Sequence, residues 1–416
     1  MRQACLPDIA TLTAFDAPTI TLTNMRYDSR YIVFKKGPLH TPAELLRVYV
    51  NEEEEHEMRG KLFIAALALL GTAGAHADNV TIYGIVDTGV EYLNHSGPND
   101  TNLVRMPNIT SSVPSRFGFR GTEDLGGGTK AFFVLESGFA IDTGSLNYGN
   151  RLFGRQANVG LSNQYGSITL GRQYNMTFYA LLGSDILGPN IYAMSNLDSY
   201  LPNTRSDNAV GYLGKFGGLS FGATYSLGRD AAGPGGPQAT NCGGESAADK
   251  QACRQWTAMA KYDGANYGVS ASYDRMNGGP GALFGLTRSD FKDVRSTLNG
   301  YVKLNSLKIG GGILNRRNTS AASFTSNLYY IGAAYPLSAA WVLDGQIGHL
   351  NVSSSDNDAT ILALRTTYNF SRRTAAYITA GYMKNRGTSA ISVSPGATTL
   401  AGLDQTGVMV GIRHSF

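Results

Sequence analysis

Nowhere in this 416-residue chain does an apolar run reach the length of a bilayer-crossing helix, which excludes a helical membrane protein. It does not exclude a β-barrel, whose alternating strands are nearly invisible to hydropathy averaging. Proline is scarce at 14, so little breaks extended strands. Cysteines number 3 and none stands in a metal-type doublet, so no metal site is expected. Charge is scattered: there is no polybasic stripe for nucleic acid and no acidic tail. Histidines number 6, and only His95, His349 and His414 follow residue 77, with no nucleophile motif around them. That gives a hydrolase little to work with, and no catalytic residue or cofactor is expected.

What is present favours strands and turns, with Gly 51 and Tyr 23. The last twelve residues, Gln405 to Phe416, alternate strictly. Thr406, Val408, Val410, Ile412, His414 and Phe416 share one face, and Gln405, Gly407, Met409, Gly411, Arg413 and Ser415 the other. A ribbon of that kind suits a wall with lipid outside and water inside.

A secretory signal peptide reads from Met58 to Ala77: Met58-Arg-Gly-Lys61 is the positive start, Leu62 to Gly74 the apolar stretch, and Ala75-His76-Ala77 the cleavage site. Cleavage leaves 78–416 as the mature chain. Residues 1–57 carry the acidic run Glu52 to Glu55 and Cys5, have no strand ladder, and are read as an upstream extension from a mis-assigned start. Of 35 Lys+Arg and 31 Asp+Glu, residues 1–77 hold 8 and 9, so the mature chain carries about +5. Its two cysteines, Cys242 and Cys253, flank a Gly-rich loop and are expected to form a disulfide in an oxidising compartment.

Sixteen strand-like segments follow. They span 79–93, 114–123, 129–141, 151–163, 166–173, 205–216, 218–228 and 254–263, then 266–275, 291–304, 306–316, 323–335, 338–350, 358–370, 373–386 and 404–416. Connections alternate between tight, such as Gln164-Tyr165, Gly217 and Asn305, and long, such as 94–113, 174–204 and 229–253. Tight turns at one end and long loops at the other predict an all-β fold, a 16-stranded antiparallel transmembrane β-barrel in the outer membrane. The segment 373–386 alternates poorly. In 360–370, Leu362, Leu364, Tyr368 and Phe370 share one face, and Arg365 belongs to the lumen, because at the lipid midplane it costs roughly 2–4 kcal/mol.

Sixteen strands leave a hollow too wide for side chains to fill, so something must narrow it. The longest loop, Tyr174 to Thr204, is too apolar for a free tip and is expected to fold inward, bringing Asp185 and Asp198 to the lumen. Its Tyr179, Tyr192 and Tyr200 offer a track for a specific solute. Arg116 and Arg120 share a strand face opposite Phe117 and Phe119; Arg205 and Asp207 face inward because Val210 and Tyr212 face outward. Arg155 falls on the face of Val159 by simple alternation, so its direction stays open. A ladder of guanidiniums in a narrow passage concentrates anions.

Together, Asn79 to Gly89, Ser115 to Gly128, Arg155 to Leu161, Leu170-Gly-Arg-Gln-Tyr174, Arg205 to Tyr212 and Gly411 to Phe416 resemble the trimeric general porins of Gram-negative bacteria, most of all the anion-preferring ones. The resemblance covers essentially all of 78–416. It implies a homotrimer in outer-membrane lipid and lipopolysaccharide, each pore constricted by its third external loop. By motif it assigns Arg116, Arg155 and Arg205, with Glu136, to the constriction. It makes Phe416 the signal to the barrel-assembly machinery. Residues 1–57 have no counterpart in the family. The expected function is passive diffusion of small ions and hydrophilic solutes with weak to moderate anion preference. A channel specific for a sugar, organic acid or phosphate is the alternative, and an adhesin or structural barrel a third.

Overall fold

The computed structural model describes residues 80–230 and 240–416, and before them only the backbone of two short paired strands, Arg26–Tyr27 and Arg30–Tyr31. Two compact units divide the chain, Met1–Gly74 and Ala75–Phe416. Apart from the short ladder, the upstream extension lies outside the described residues, as do the signal peptide and the expected new terminus at Asp78.

The second unit is built from sixteen long strands. The first eight are β1 Thr81–Ser96, β2 Arg116–Gly126, β3 Thr129–Gly138, β4 Gln156–Asn163, β5 Gly166–Tyr174, β6 Arg205–Phe216, β7 Leu219–Ser226 and β8 Gln255–Asp263. The rest are β9 Tyr267–Asn277, β10 Lys292–Leu304, β11 Leu307–Asn318, β12 Phe324–Pro336, β13 Trp341–Val352, β14 Ala359–Asn369, β15 Thr374–Asn385 and β16 Gln405–Ser415. Each pairs antiparallel with its neighbours, and β16 returns to β1, with Gly411 opposite Gly89 and Ser415 opposite Ile85. The sheet is therefore a closed barrel with no free edge.

Alternation decides which way each strand faces. On β16, Val408, Val410 and Ile412 are exposed while Gln405, Gly407, Met409 and Gly411 are buried. The same parity exposes Val159, Leu161, Ile168, Leu170, Val210, Ile331, Leu362 and Leu364 on neighbouring strands. A continuous apolar band of this size is stable against hydrocarbon and not against water. Aromatic side chains gather beside the tight turns, where Trp341 lies 4.8 Å from Tyr368, Tyr368 lies 5.1 Å from Phe370, and Tyr262 lies 5.8 Å from Tyr267. That girdle marks the level of the lipid headgroups. The turns need residues that tolerate positive φ: Gly126, Gly127 and Gly128 lie at 81°, 59° and 76°, and Gly217 and Asn305 at 60° and 54°.

Three sequence expectations change. The strand expected over 151–163 starts at Gln156, and 151–155 is a turn. The first long loop carries an extra short strand, Thr101–Arg105, paired to β1 through Tyr92 and Val104. The poorly alternating segment 373–386 alternates fully in burial, with Ala375, Tyr377, Thr379, Met383 and Asn385 on one face.

In the sequence Tyr377 and Met383 hide that alternation, because the third long loop, 175–204, makes their face apolar as well. Its Leu187, Ile191, Tyr192, Met194, Leu197 and Leu201 form one apolar core with Leu314, Leu328, Leu350, Ile361, Met383 and Met409, which lie on the strand faces opposite the lipid-type band. Tyr192 is fully buried over two facing glycines: a Cβ at Gly381 would come 2.5 Å from its ring, and one at Gly407 2.6 Å. Withdrawing a side chain of this size from water contributes about 1.5–3 kcal/mol.

Candidate functional site

Two guanidiniums, Arg155 and Arg116, stand at one carboxylate, and a third, Arg205, joins them through Tyr174. Glu136, on the inward parity of β3, accepts from Arg155 Nε at 2.7 Å and from the Tyr83 hydroxyl at 3.0 Å, and Arg116 Nε stands 3.8 Å away. Arg155 also donates to the hydroxyls of Tyr148 at 2.8 Å and Tyr174 at 3.0 Å. Arg205 donates to the same Tyr174 hydroxyl at 2.9 Å, with its guanidinium 4.4 Å from the Tyr174 ring and 5.2 Å from that of Tyr148. Arg155 and Arg205 are almost fully buried, 4% and 3% exposed. The tyrosines thus hold cations without neutralising them, and three positive charges share one negative. Burial alone would raise the Tyr148 phenol, but Arg155 and Arg205 bring it below its usual value.

Local structure explains each direction. The ladder between β3 and β4 ends at Glu136 opposite Gln156, so Arg155 precedes the alternation and is not bound to the face of Val159. Arg205 opens β6 beside a register shift between Gly171 and Gln173. Arg120 lies on the face of Arg116, beyond Gly118 and nearer the turn, with its guanidinium 5.1 Å from the Tyr83 ring.

Next to this cluster, Arg151, Arg172 and Arg229 gather around two carboxylates. Asp207 accepts from Arg172 and Arg151, the latter at 3.0 Å, and Asp230 pairs with Arg229 at 3.2 Å as well as with Arg151. Sequence reasoning passed over Arg151 and Arg172, and with them Tyr83, Tyr148 and Tyr174. Arg172 and Tyr174 were present in a quoted motif, but the bulge at Gly171, φ 108°, hides their facing from a period-two count.

Asp185 and Asp198 sit apart from the arginine cluster and from each other. Asp198 accepts from Arg295 at 2.7 and 3.0 Å, with Arg316 at 3.8 Å. Burial alone would raise its pKa, yet the two arginines hold it well below the carboxylate range. Asp185 accepts from Gln346 Nε2 at 3.0 Å and from the Gly188 amide at 3.2 Å. Its burial raises the pKa, which those hydrogen bonds only partly oppose. The tyrosine track does not form: Tyr192 lies in the apolar core, and Tyr200 packs between Arg229 at 4.8 Å and Arg295 at 4.2 Å. Only Tyr179 remains partly exposed, edge-on to Phe178.

The third loop is tied down at its start and along its middle. The Met176 amide donates to Thr257 at 3.0 Å, and Asn175 caps a short helix, Met176–Leu181. Farther along, the Ile191 amide donates to the Ser111 carbonyl at 2.8 Å, and Asn196 Nδ2 donates to the Val393 carbonyl at 2.6 Å. Elsewhere, Cys242 and Cys253 are disulfide-bonded inside the loop between β7 and β8. Phe416 exchanges two backbone hydrogen bonds with Gly84, each 3.1 Å, and lays its ring over that glycine.

The profile of the Gram-negative porin family matches residues 65–388. An outer membrane porin protein of Bordetella pertussis is 32% identical over 407 residues, covering 86% of this chain and the whole of that protein. Outer membrane porin protein 32 of Delftia acidovorans is 30% identical over 376 residues with the same coverage. Among solved structures, the anion-selective porin from Comamonas acidovorans superposes with a TM-score of 0.67 at 26% identity, covering 81% of this chain and 99% of that one.

Proposed function

The chain belongs to the Gram-negative porin family, and from that premise we propose that it forms a water-filled channel for small hydrophilic solutes with a preference for anions. The observation that carries the sign is the trio Arg116, Arg155 and Arg205 around the single carboxylate of Glu136. Other carboxylates on the inward faces are engaged: Glu91 with Arg105 at 2.6 Å, Asp293 with Arg316 at 2.6 Å, Asp344 with Arg365 at 2.6 Å, and Asp87 with Tyr377 at 2.6 Å and the Val113 amide at 2.8 Å. Arg116 and Arg155 share Glu136, and among the described residues Arg205 forms no ion pair, so the field at this cluster is positive. A wall of low dielectric focuses that field onto permeating ions.

In this reading the third loop narrows the passage, and the buried Asp198 and Asp185 fasten it rather than face the stream. Solutes move down their gradients without chemistry. Three copies assemble in outer-membrane lipid and lipopolysaccharide, with Phe416 read by the assembly machinery and the leader Met58 to Ala77 removed on export. Native electrophoresis with cross-linking tests the trimer; mass spectrometry of the outer-membrane form tests for a terminus at Asp78.

Selectivity is tested by planar-bilayer recording under a potassium chloride gradient. The zero-current potential is expected to report anion preference in the wild type and to move toward cation preference in R116Q/R155Q/R205Q. An unchanged potential removes the arginine trio as its source.

A further inference from the structure

Four lysines stand at one level of the barrel, each two residues from a tight turn or its flank. Lys215 precedes the β6–β7 turn, Lys261 the β8–β9 turn, and Lys303 and Lys308 stand on either side of the β10–β11 turn. Each is on the inward parity of its strand, shared with Leu213, Met259, Tyr301 and Gly310 respectively. Lys215 and Lys308 lie 93 residues apart in the chain, and only the register brings the four together.

Lys303 and Lys308 are directly opposite across the β10–β11 ladder. Like charges in that position destabilise a sheet, and an uncharged polar residue at either position would avoid it. Both amines flank one ring, with Lys308 Nζ 5.0 Å and Lys303 Nζ 5.9 Å from the centre of Tyr301. The single acid nearby, Asp263, is already committed: it pairs with Lys261 at 3.3 Å and accepts from the Tyr301 hydroxyl at 2.9 Å. Among the described residues Lys215, Lys303 and Lys308 form no ion pair. Above them, Gly183 rests 3.0 Å (from its would-be Cβ) against the Tyr301 ring, and the Ser184 backbone crowds Gly310. Lys261 Nζ donates to the Leu182 carbonyl at 3.0 Å. The amines therefore lie between the third loop and the turn-side rim.

We propose that Lys303, Lys308 and Lys261 form a second anion station, separate from the arginine trio, that takes a compact polyvalent oxyanion of the phosphate class. Lysine is a point charge with three rotatable donors, suited to the clustered oxygens of phosphate. Chloride can neutralise only one amine at a time. A polyvalent phosphate accepts from both opposed lysines at once and relieves the repulsion the sheet otherwise carries. The inference rests on the pore reading above, and its test separates the two.

The probe is tripolyphosphate, added to either side of the intact protein in planar bilayers while chloride carries the current. Saturable block from one side is expected in the wild type. K303Q/K308Q should need at least about a hundredfold more for half-block, since both charge-assisted hydrogen bonds are lost. R116Q/R155Q/R205Q should keep the block although its zero-current potential moves. No block in the wild type, equal half-block in K303Q/K308Q, or block lost only in the arginine variant overturns the proposal. Thermal unfolding in detergent gives a second reading independent of conductance. Tripolyphosphate should raise the unfolding temperature of the wild type and not of K303Q/K308Q. A wild type without chloride current but with that rise would sink the pore reading and keep the station; equal responses would sink the station.

Discussion

Placing valine at Gly381 tests whether the third loop is held by fit. The ring of Tyr192 lies over Gly381 and its register partner Gly407, and a Cβ at Gly381 would come 2.5 Å from Tyr192 Cγ. Ordinary carbon contacts lie at about 3.5–4.0 Å, so the ring must retreat by more than ~1 Å. Overpacking of that order costs about 1–3 kcal/mol, and full expulsion of the ring adds its lost burial, about 1.5–3 kcal/mol. A cost near 3 kcal/mol raises the population of detached loop roughly a hundredfold. The barrel ladder itself is untouched. Gly381→Val is expected to fold and resist heat as the wild type does, yet to show noisy current with sub-levels and protease cleavage within 175–204. Adding Tyr192→Ala should quieten the current by making room for the valine. A quiet, protease-resistant Gly381→Val channel of unchanged conductance would refute the reasoning.

Asp198→Asn should loosen the loop by about 1.5–3 kcal/mol, since it weakens the paired contact with Arg295 and leaves that guanidinium only Asp293 at 3.3 Å as a carboxylate partner, and proteolysis of the loop will report it. Asp185→Asn should not, because an amide oxygen can accept from Gln346 and the Gly188 amide as the carboxylate does. The pH responses differ in sign. The depressed pKa of Asp198 gives loop stability that is complete above the ordinary Asp value and lost only as pH falls through its lower folded value. The raised pKa of Asp185 penalises its ionised form, so its contribution improves as pH falls from neutral through that value. Protease resistance measured from pH 8 to pH 4 should therefore hold or rise, and a steady fall would contradict both assignments. Glu136→Gln removes the one negative charge among three arginines and should strengthen anion preference in the zero-current potential. Cys242→Ser/Cys253→Ser should ease local opening of the loop after β7 by about 2–4 kcal/mol, seen as faster hydrogen exchange there with conductance unchanged.

The strands were legible in the sequence because lipid on one face and water on the other impose a period of two that a reader can count. Legibility fails where that premise fails. The face of β15 carrying Tyr377 and Met383 is covered by the third loop, so apolar residues lie on both sides. Thr101–Arg105, with Leu103 and Arg105 half-buried and Asn102 and Val104 exposed, is too short for its alternation to be counted. Arg155 and Arg172 escape the count because a turn and a bulge reset the parity beside them. Tyr192 and Tyr200 could be named as loop aromatics, but which partners bury them depends on contacts far along the chain. The opposed lysines 303 and 308 needed the register as well: a shift of one residue would have turned one of them outward.

The pairing of Phe416 with Gly84 has a consequence for biogenesis. The seam joins β1 to β16, so the barrel closes only after every intervening strand has been made. Until then both margins of the nascent sheet are unpaired, each presenting a row of backbone donors and acceptors. Contacts so distant in sequence form slowly and leave such margins open to aggregation. A sheet lacking either β1 or β16 would be a cylinder that cannot shut.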